Sequence, residues 1–215
     1  MPNVQINIYD DLRPIEIREE GKNGKTVVKY TTPTDLKKAL SSVGSIPLIF
    51  IHPNLVATDG EKVASFYRPP ALTDILLSTF HGIQNIRIPL PALILNLTKG
   101  HNSASLAVVA LKQNARPASK DTPLYHAPFS NIYSNGGVCM GSAKPVPFSF
   151  EPEIAWASFF GSAFNGHNPD KRSNKYPEDV RLLYPELVDM EAYPVDDLVP
   201  CNTTLGQWLR IGGGR

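Results

Sequence analysis

The chain has 215 residues, 42% of them hydrophobic and 19% charged, with a formal net charge of +1. This is an ordinary globular composition, long enough for one sizeable core with a smaller appendage. Its charge balance gives no reason to expect nucleic acid or a membrane surface as a partner. No apolar run approaches the ~18 residues that a membrane-spanning helix needs. The opening MPNVQINIYDD has no basic stretch followed by an apolar one, so no secretory leader is expected. Two cysteines do not make a disulfide framework, and a reduced, cytoplasmic protein is expected. The histidines and cysteines lack metal-ligand spacing, and no phosphate-binding glycine loop is present. Neither a metal nor a cofactor is expected.

Twenty prolines predict short elements with ordered, irregular connections. In chain order, Val4, Ile6 and Ile8 alternate with polar residues as in a half-buried strand. Asn23-Gly24 lies between IEIREEGK and KTVVKYTT, a hairpin signal because both turn residues must accept positive φ. Thr32-Pro33 opens a short helix, with Thr32 as its cap. Leu48–Ile51 and Val63–Tyr67 read as strands, separated by a turn at Asp59-Gly60. Pro89–Thr98 and Ser105–Lys112 read as a strand pair turning through Lys99–Asn102. From Asn114 to Cys139 the sequence is proline-rich and aperiodic. A helix is expected from about Glu153, with Trp156, Phe159, Phe160, Ala163 and Phe164 on one apolar stripe. Asn202–Ile211 predicts a closing helix with Leu205, Trp208 and Leu209 facing inward.

Strands come first and helices last, which argues for an α+β fold with an antiparallel sheet and flanking helices. Residues 1–69 are expected to form a β-rich N-terminal extension with one short helix. Residues 70–215 are expected to form the main domain.

The informative stretch is HAPFSNIYSNGGVCMGS, from His126 to Ser142. Asn131 is followed by an apolar residue, a tyrosine and a glycine turn, and Val138-Cys139-Met140 closes it. This pattern resembles the active-site motif of the ubiquitin-conjugating enzymes, in which His-Pro-Asn precedes the cysteine at the same spacing. Arg68-Pro69-Pro70, Pro89–Leu95, Arg116-Pro117 and WASFFGSAF, beginning at Trp156, extend the resemblance to one bacterial branch. That branch comprises the PRTRC-system protein B and prokaryotic conjugating-enzyme family D. The resemblance covers roughly the last two-thirds of the chain. Phe129-Ser130 replaces the family's His-Pro, a change that bears on packing more than on chemistry. His52-Pro53-Asn54 is a literal copy of the motif, but the residue at the cysteine's spacing is Lys62.

The resemblance implies a ubiquitin-conjugating-enzyme-like fold over residues 70–215 and a thioester carried on Cys139. It also implies partners: a ubiquitin-like modifier, a ThiF-type activating enzyme and a JAB-type protease in the same pathway. The chemistry accounts for the residue types. A thiolate is both a nucleophile and a good leaving group. Gly136 and Gly137 permit a tight turn and the close approach of a partner's tail. The side-chain amide of Asn131 suits an oxyanion formed during attack, so its loss is expected to slow discharge more than loading. Asp170 and Asp179 are candidates for deprotonating an acceptor amine by position only.

Tyr133 reads as a packing residue and Cys201 as a small buried hydrophobe. As a simple carrier, Cys139 is expected to behave as an ordinary exposed thiol. The alternative reading is a non-catalytic docking module for a modifier or an activating enzyme. A cysteine hydrolase would need a histidine base beside Cys139, and His126 and His167 are the two available. Gly212-Gly213-Gly214 before Arg215 resembles a modifier tail, but such terminal glycines are more often inert.

Overall fold

The computed structural model describes residues 4–7, 14–20, 25–32, 34–36, 53–117, 119–141 and 145–212. The chain divides into two compact units, residues 1–50 and 51–215. Among the described residues no helix is long and apolar enough to cross a membrane.

The first unit holds a three-stranded antiparallel sheet of β1 (Val4–Asn7), β2 (Ile15–Glu20) and β3 (Thr26–Thr31), in that order. β2 and β3 pair antiparallel from Ile15↔Thr31 to Glu20↔Thr26. The expected Asn23-Gly24 turn itself lies outside the described residues, as does the expected strand at Leu48–Ile51. Thr32 caps residues 34–36 as expected: its hydroxyl oxygen accepts from the Asp35 backbone N–H at 3.1 Å.

The second unit is built on a six-stranded antiparallel sheet. It contains β4 (Leu55–Thr58), β5 (Val63–Arg68), β8 (Ala92–Thr98), β9 (Ser105–Leu111), β10 (Pro123–His126) and β11 (Pro200–Thr204). The order across the sheet is β11-β10-β9-β8-β5-β4. β4 and β5 turn through Asp59, whose carboxylate accepts from the N–H groups of Glu61, Lys62 and Val63. The boundary expected between residues 69 and 70 falls inside this unit, just after β5.

The central strand β8 is apolar at nearly every position because both faces of the sheet are covered. Leu93, Leu95 and Leu97 point to one side, into a core with Phe66, Val108, Ala155, Phe159 and Phe164. Ala92 and Ile94 point to the other, toward Val109, Leu124, Leu205 and Trp208. The first core is closed by α1 (Pro152–Phe160) and the second by α3 (Leu205–Gly212). Between them, α2 (Tyr184–Leu187) buries Tyr184 and Leu187 in the first core.

A hairpin of β6 (Ala71–Thr79) and β7 (Gly82–Leu90) forms its own two-stranded sheet. Its inner end buries Ile75, Ile88 and Leu90, while Phe80 at the turn is 99% exposed. The apolar stripe expected to run along one helix is split. The α1 helix ends at Gly161, and Phe164 reaches the core by pairing with Leu77 of the hairpin instead. The architecture is thus mixed α and β, dominated by antiparallel sheets with few helices.

Candidate active site

Cys139 sits on a narrow hairpin that extends the sheet. Ile132 pairs with Val138, and Gly137 pairs with Ala107 of β9. Val138 donates its N–H to the Leu106 carbonyl, and Val108 donates to the Gly136 carbonyl, both at 2.8 Å. β9 therefore pairs with β10 near its end and with the cysteine hairpin near its start. Side chains alternate along such a ladder. Ile132 and Val138 turn into the first core, and Asn131, Tyr133 and Cys139 turn the other way.

The turn is tight. Asn135 Oδ1 accepts from the Gly137 N–H, and the Trp208 indole N–H from α3 reaches the Asn135 carbonyl at 3.0 Å. Gly136 has φ +89°, and a Cβ there would lie 3.2–3.3 Å from Trp208, Val108 and Val109. Glycine is needed at this position for both reasons.

Asn131 holds the hairpin against residues 163–167 through three hydrogen bonds and ties it to Cys139 through a fourth. Its N–H donates to the His167 carbonyl at 2.6 Å, and its carbonyl accepts from the Cys139 N–H at 2.7 Å. Its side-chain amide donates to the Ala163 carbonyl at 3.0 Å and accepts from the Asn165 N–H at 3.3 Å. Its φ of +62° lies in the left-handed region, where asparagine is among the better-tolerated residues. An amide nitrogen carries two hydrogens, so one donor remains beyond the Ala163 bond.

The Phe129-Ser130 departure has a packing explanation. Phe129 is fully buried, stacked on Phe164 at 4.8 Å and edge-on to Phe159 at 5.3 Å. An aromatic cluster anchors the approach to Asn131 where the family's motif carries His-Pro. Behind the hairpin, the buried Arg172 guanidinium donates to the Ile132 carbonyl at 2.5 Å and meets His126 Nδ1 at 2.6 Å. Burial and this neighbouring cation together hold the His126 imidazole neutral, lowering its pKa to about 4.

Cys139 opens on a cleft of about 990 Å³. Small residues of α1 and the segment after it, Ala157, Gly161, Ser162 and Ala163, form one wall. Pro145 and Pro147 line another part, and Asn131 and His167 line it too. The thiol is half-buried and unbridged, as is that of Cys201.

Cys139 is not an ordinary exposed thiol. The Tyr133 hydroxyl and the Gly141 N–H, close to its sulfur, lower its pKa. In return the adjacent sulfur raises the pKa of the Tyr133 hydroxyl. Tyr133 is 47% exposed, so the packing role expected for it does not hold. It lies across the ladder from Gly137, to whose carbonyl its N–H donates at 2.8 Å. Its ring meets His167 edge-on at 5.9 Å.

The two expected proton acceptors fare differently from Tyr133. Asp179 holds the Arg181 guanidinium through both carboxylate oxygens, at 2.9 and 2.6 Å. That pairing lowers the pKa of its carboxyl and occupies the group. Asp170 does not line the cleft. No hydrogen bond joins Cys139 to His126 or His167 among the described residues.

The model of prokaryotic E2 family D matches residues 33–201, well over half of the chain. The chain belongs to this family of bacterial conjugating-enzyme-like proteins, whose general partners are a ubiquitin-like modifier and an activating enzyme. Comparisons with curated proteins and with solved structures gave no match.

Proposed function

We propose that the protein is a cysteine thioester carrier with a ubiquitin-conjugating-enzyme-like fold. It accepts a ubiquitin-like protein from a ThiF-type activating enzyme on Cys139 and passes it to an amine. A JAB-type protease acts in the same pathway, in the reducing cytoplasm where both thiols stay free. The observation that carries this reading is the setting of Cys139: a half-exposed thiol with lowered pKa, at the mouth of an open cleft walled by small residues. Such a wall accepts an extended glycine-rich tail, whereas a structural cysteine would sit in packed surroundings. The unit of residues 51–215 carries the chemistry, with residues 1–50 as the extension.

Loading is an exchange between two thioesters, helped by the thiolate character of Cys139. Discharge passes through a tetrahedral oxyanion. The Gly141 N–H and the second amide hydrogen of Asn131 are the donors at hand, of a kind typically worth about 2.7–4 kcal/mol each. A docking module would need no accessible thiol, so the enzyme reading leads.

Non-reducing electrophoresis after incubation with ATP, the activating enzyme and the modifier tests this. A thiol-sensitive band of added mass is expected in the wild type and in Cys201→Ala. Its persistence in Cys139→Ala would overturn the assignment.

A further inference from the structure

Attack of an amine on a thioester leaves a proton on nitrogen that must go elsewhere before products form. Among the described residues, the lining of the cleft includes no carboxylate. Asp179 is committed to Arg181. Among the described residues that line the cleft, His167 is the ionisable side chain beside Cys139 itself. We propose that His167 is the general base that takes the acceptor amine's proton during discharge of Cys139. This rests on the thioester reading above and assigns its proton-transfer step.

The geometry suits the task. The His167 main chain is fixed at both polar groups: its N–H donates to Asn165 Oδ1 at 2.8 Å, and its carbonyl accepts from Asn131 at 2.6 Å. The ring is left available. Neither ring nitrogen has a hydrogen-bond partner among the described residues, and the imidazole is exposed to the cleft. Its one ring contact is the edge-on Tyr133, whose hydroxyl reaches the Cys139 sulfur. Imidazole and reacting sulfur are thus brought to the same side of the hairpin by a tyrosine between them. His126 cannot serve, because its Nδ1 faces the Arg172 guanidinium behind the hairpin.

The step balances as follows. The amine lone pair forms the C–N bond, and the carbonyl π pair moves to oxygen. The nitrogen's surplus proton passes to the imidazole. The oxyanion collapses, the C–S bond breaks with its pair on sulfur, and Cys139 leaves as thiolate. The imidazolium then returns its proton to solvent. The groups that bear on its charge are the Tyr133 hydroxyl and Cys139 on the hairpin, together with the Arg181–Asp179 pair. Arg181 reaches within 3.4 Å of where a Cβ on Gly166 would stand.

The test uses a synthetic peptide thioester ending in Gly-Gly to acylate Cys139 directly, followed by a chase with free lysine, both steps timed. His167→Gln is expected to acylate at the wild-type rate and to discharge about 10²-fold more slowly at neutral pH. The pH profile of discharge should change in shape between the wild type and His167→Gln. Added imidazole should restore discharge in His167→Ala. Discharge of His167→Gln within about twofold of wild type would overturn the proposal, as would an equal fall in both steps or a failure of imidazole to rescue. Failure of the wild type to acylate at all would instead remove the thioester reading and the base with it.

Discussion

The two cysteines occupy opposite kinds of surroundings. Cys139 projects from a short hairpin into a cleft, and two donors lower its pKa. Cys201 lies on β11 against the second core, and burial pushes its thiol up to about 11 even though the Arg172 guanidinium pulls it down. The contrast teaches that desolvation outweighs a nearby charge at Cys201, while exposure with modest donors suffices at Cys139. Arg172 makes the same point at His126. There burial and the cation act in one direction, and the imidazole is held neutral far below the usual range.

The contrast is most directly broken by alkylation. At pH 7.5, iodoacetamide should modify Cys139 at least about 10²-fold faster than Cys201, from their thiolate fractions alone. Peptide mapping over a time course measures both sites in one sample. Equal rates would dissolve the distinction.

Asn131→Ala should loosen the Cys139 side selectively. It removes two side-chain hydrogen bonds and places alanine at positive φ, together about 2–3 kcal/mol of stability. Discharge should fall about 10²-fold and loading by a smaller factor, because the hairpin clamp is lost along with a donor. Asn131→Gly tolerates the φ and should melt higher than Asn131→Ala. The reverse order of melting temperatures would show that backbone conformation does not matter here.

Tyr133→Phe sharpens the comparison from the cysteine's own side. Loss of the hydroxyl removes a donor to the thiolate, so the Cys139 pKa rises and its alkylation curve moves to higher pH. The rate at pH 7.5 should fall by about threefold to tenfold, with no difference well above both pKa values. Superimposable curves would leave Tyr133 without influence on the sulfur.

A further test concerns acid. The folded His126 has a pKa near 4 against about 6.5 in an unfolded chain. Between those values the unfolded state binds more protons, so stability falls as pH drops from about 6.5 toward 4. His126→Gln should flatten that part of the stability curve in urea titrations. An unchanged slope would show that His126 is solvated in the folded protein.

Strands β8 and β9 were legible because a sheet covered on both faces leaves long apolar runs. The β6–β7 hairpin was not, since its turn is Phe80-His81 rather than an Asn-Gly pair. The stripe from Trp156 to Phe164 marked buried residues correctly but not their backbone. Periodicity cannot tell a helix from a helix followed by a returning segment. The flanking pattern points to Cys139, which the fold sets at a cleft. The clamp made by Asn131 depends on residues 163–167, of which the apolar stripe puts Ala163 and Phe164 on a helix. Tyr133 looked like packing because its neighbour across the ladder, Gly137, becomes its neighbour only once the turn forms. His167 lies far along the chain from Cys139, and only the fold brings them to one cleft.

The Ile132↔Val138 pairing carries a consequence for the length of the turn. Side chains on a paired strand change face at every step. Deleting one residue from Ser134 to Gly137, with pairing to β9 kept from the Ile132 side, would move Cys139 into the place of Val138 and Met140 into that of Cys139. The thiol would be carried into the core and a thioether would face the cleft. The count of residues in this turn is therefore as much a determinant of the exposed nucleophile as the cysteine itself. A variant lacking Ser134 should keep every side chain near Cys139 and yet lose its reactive sulfur.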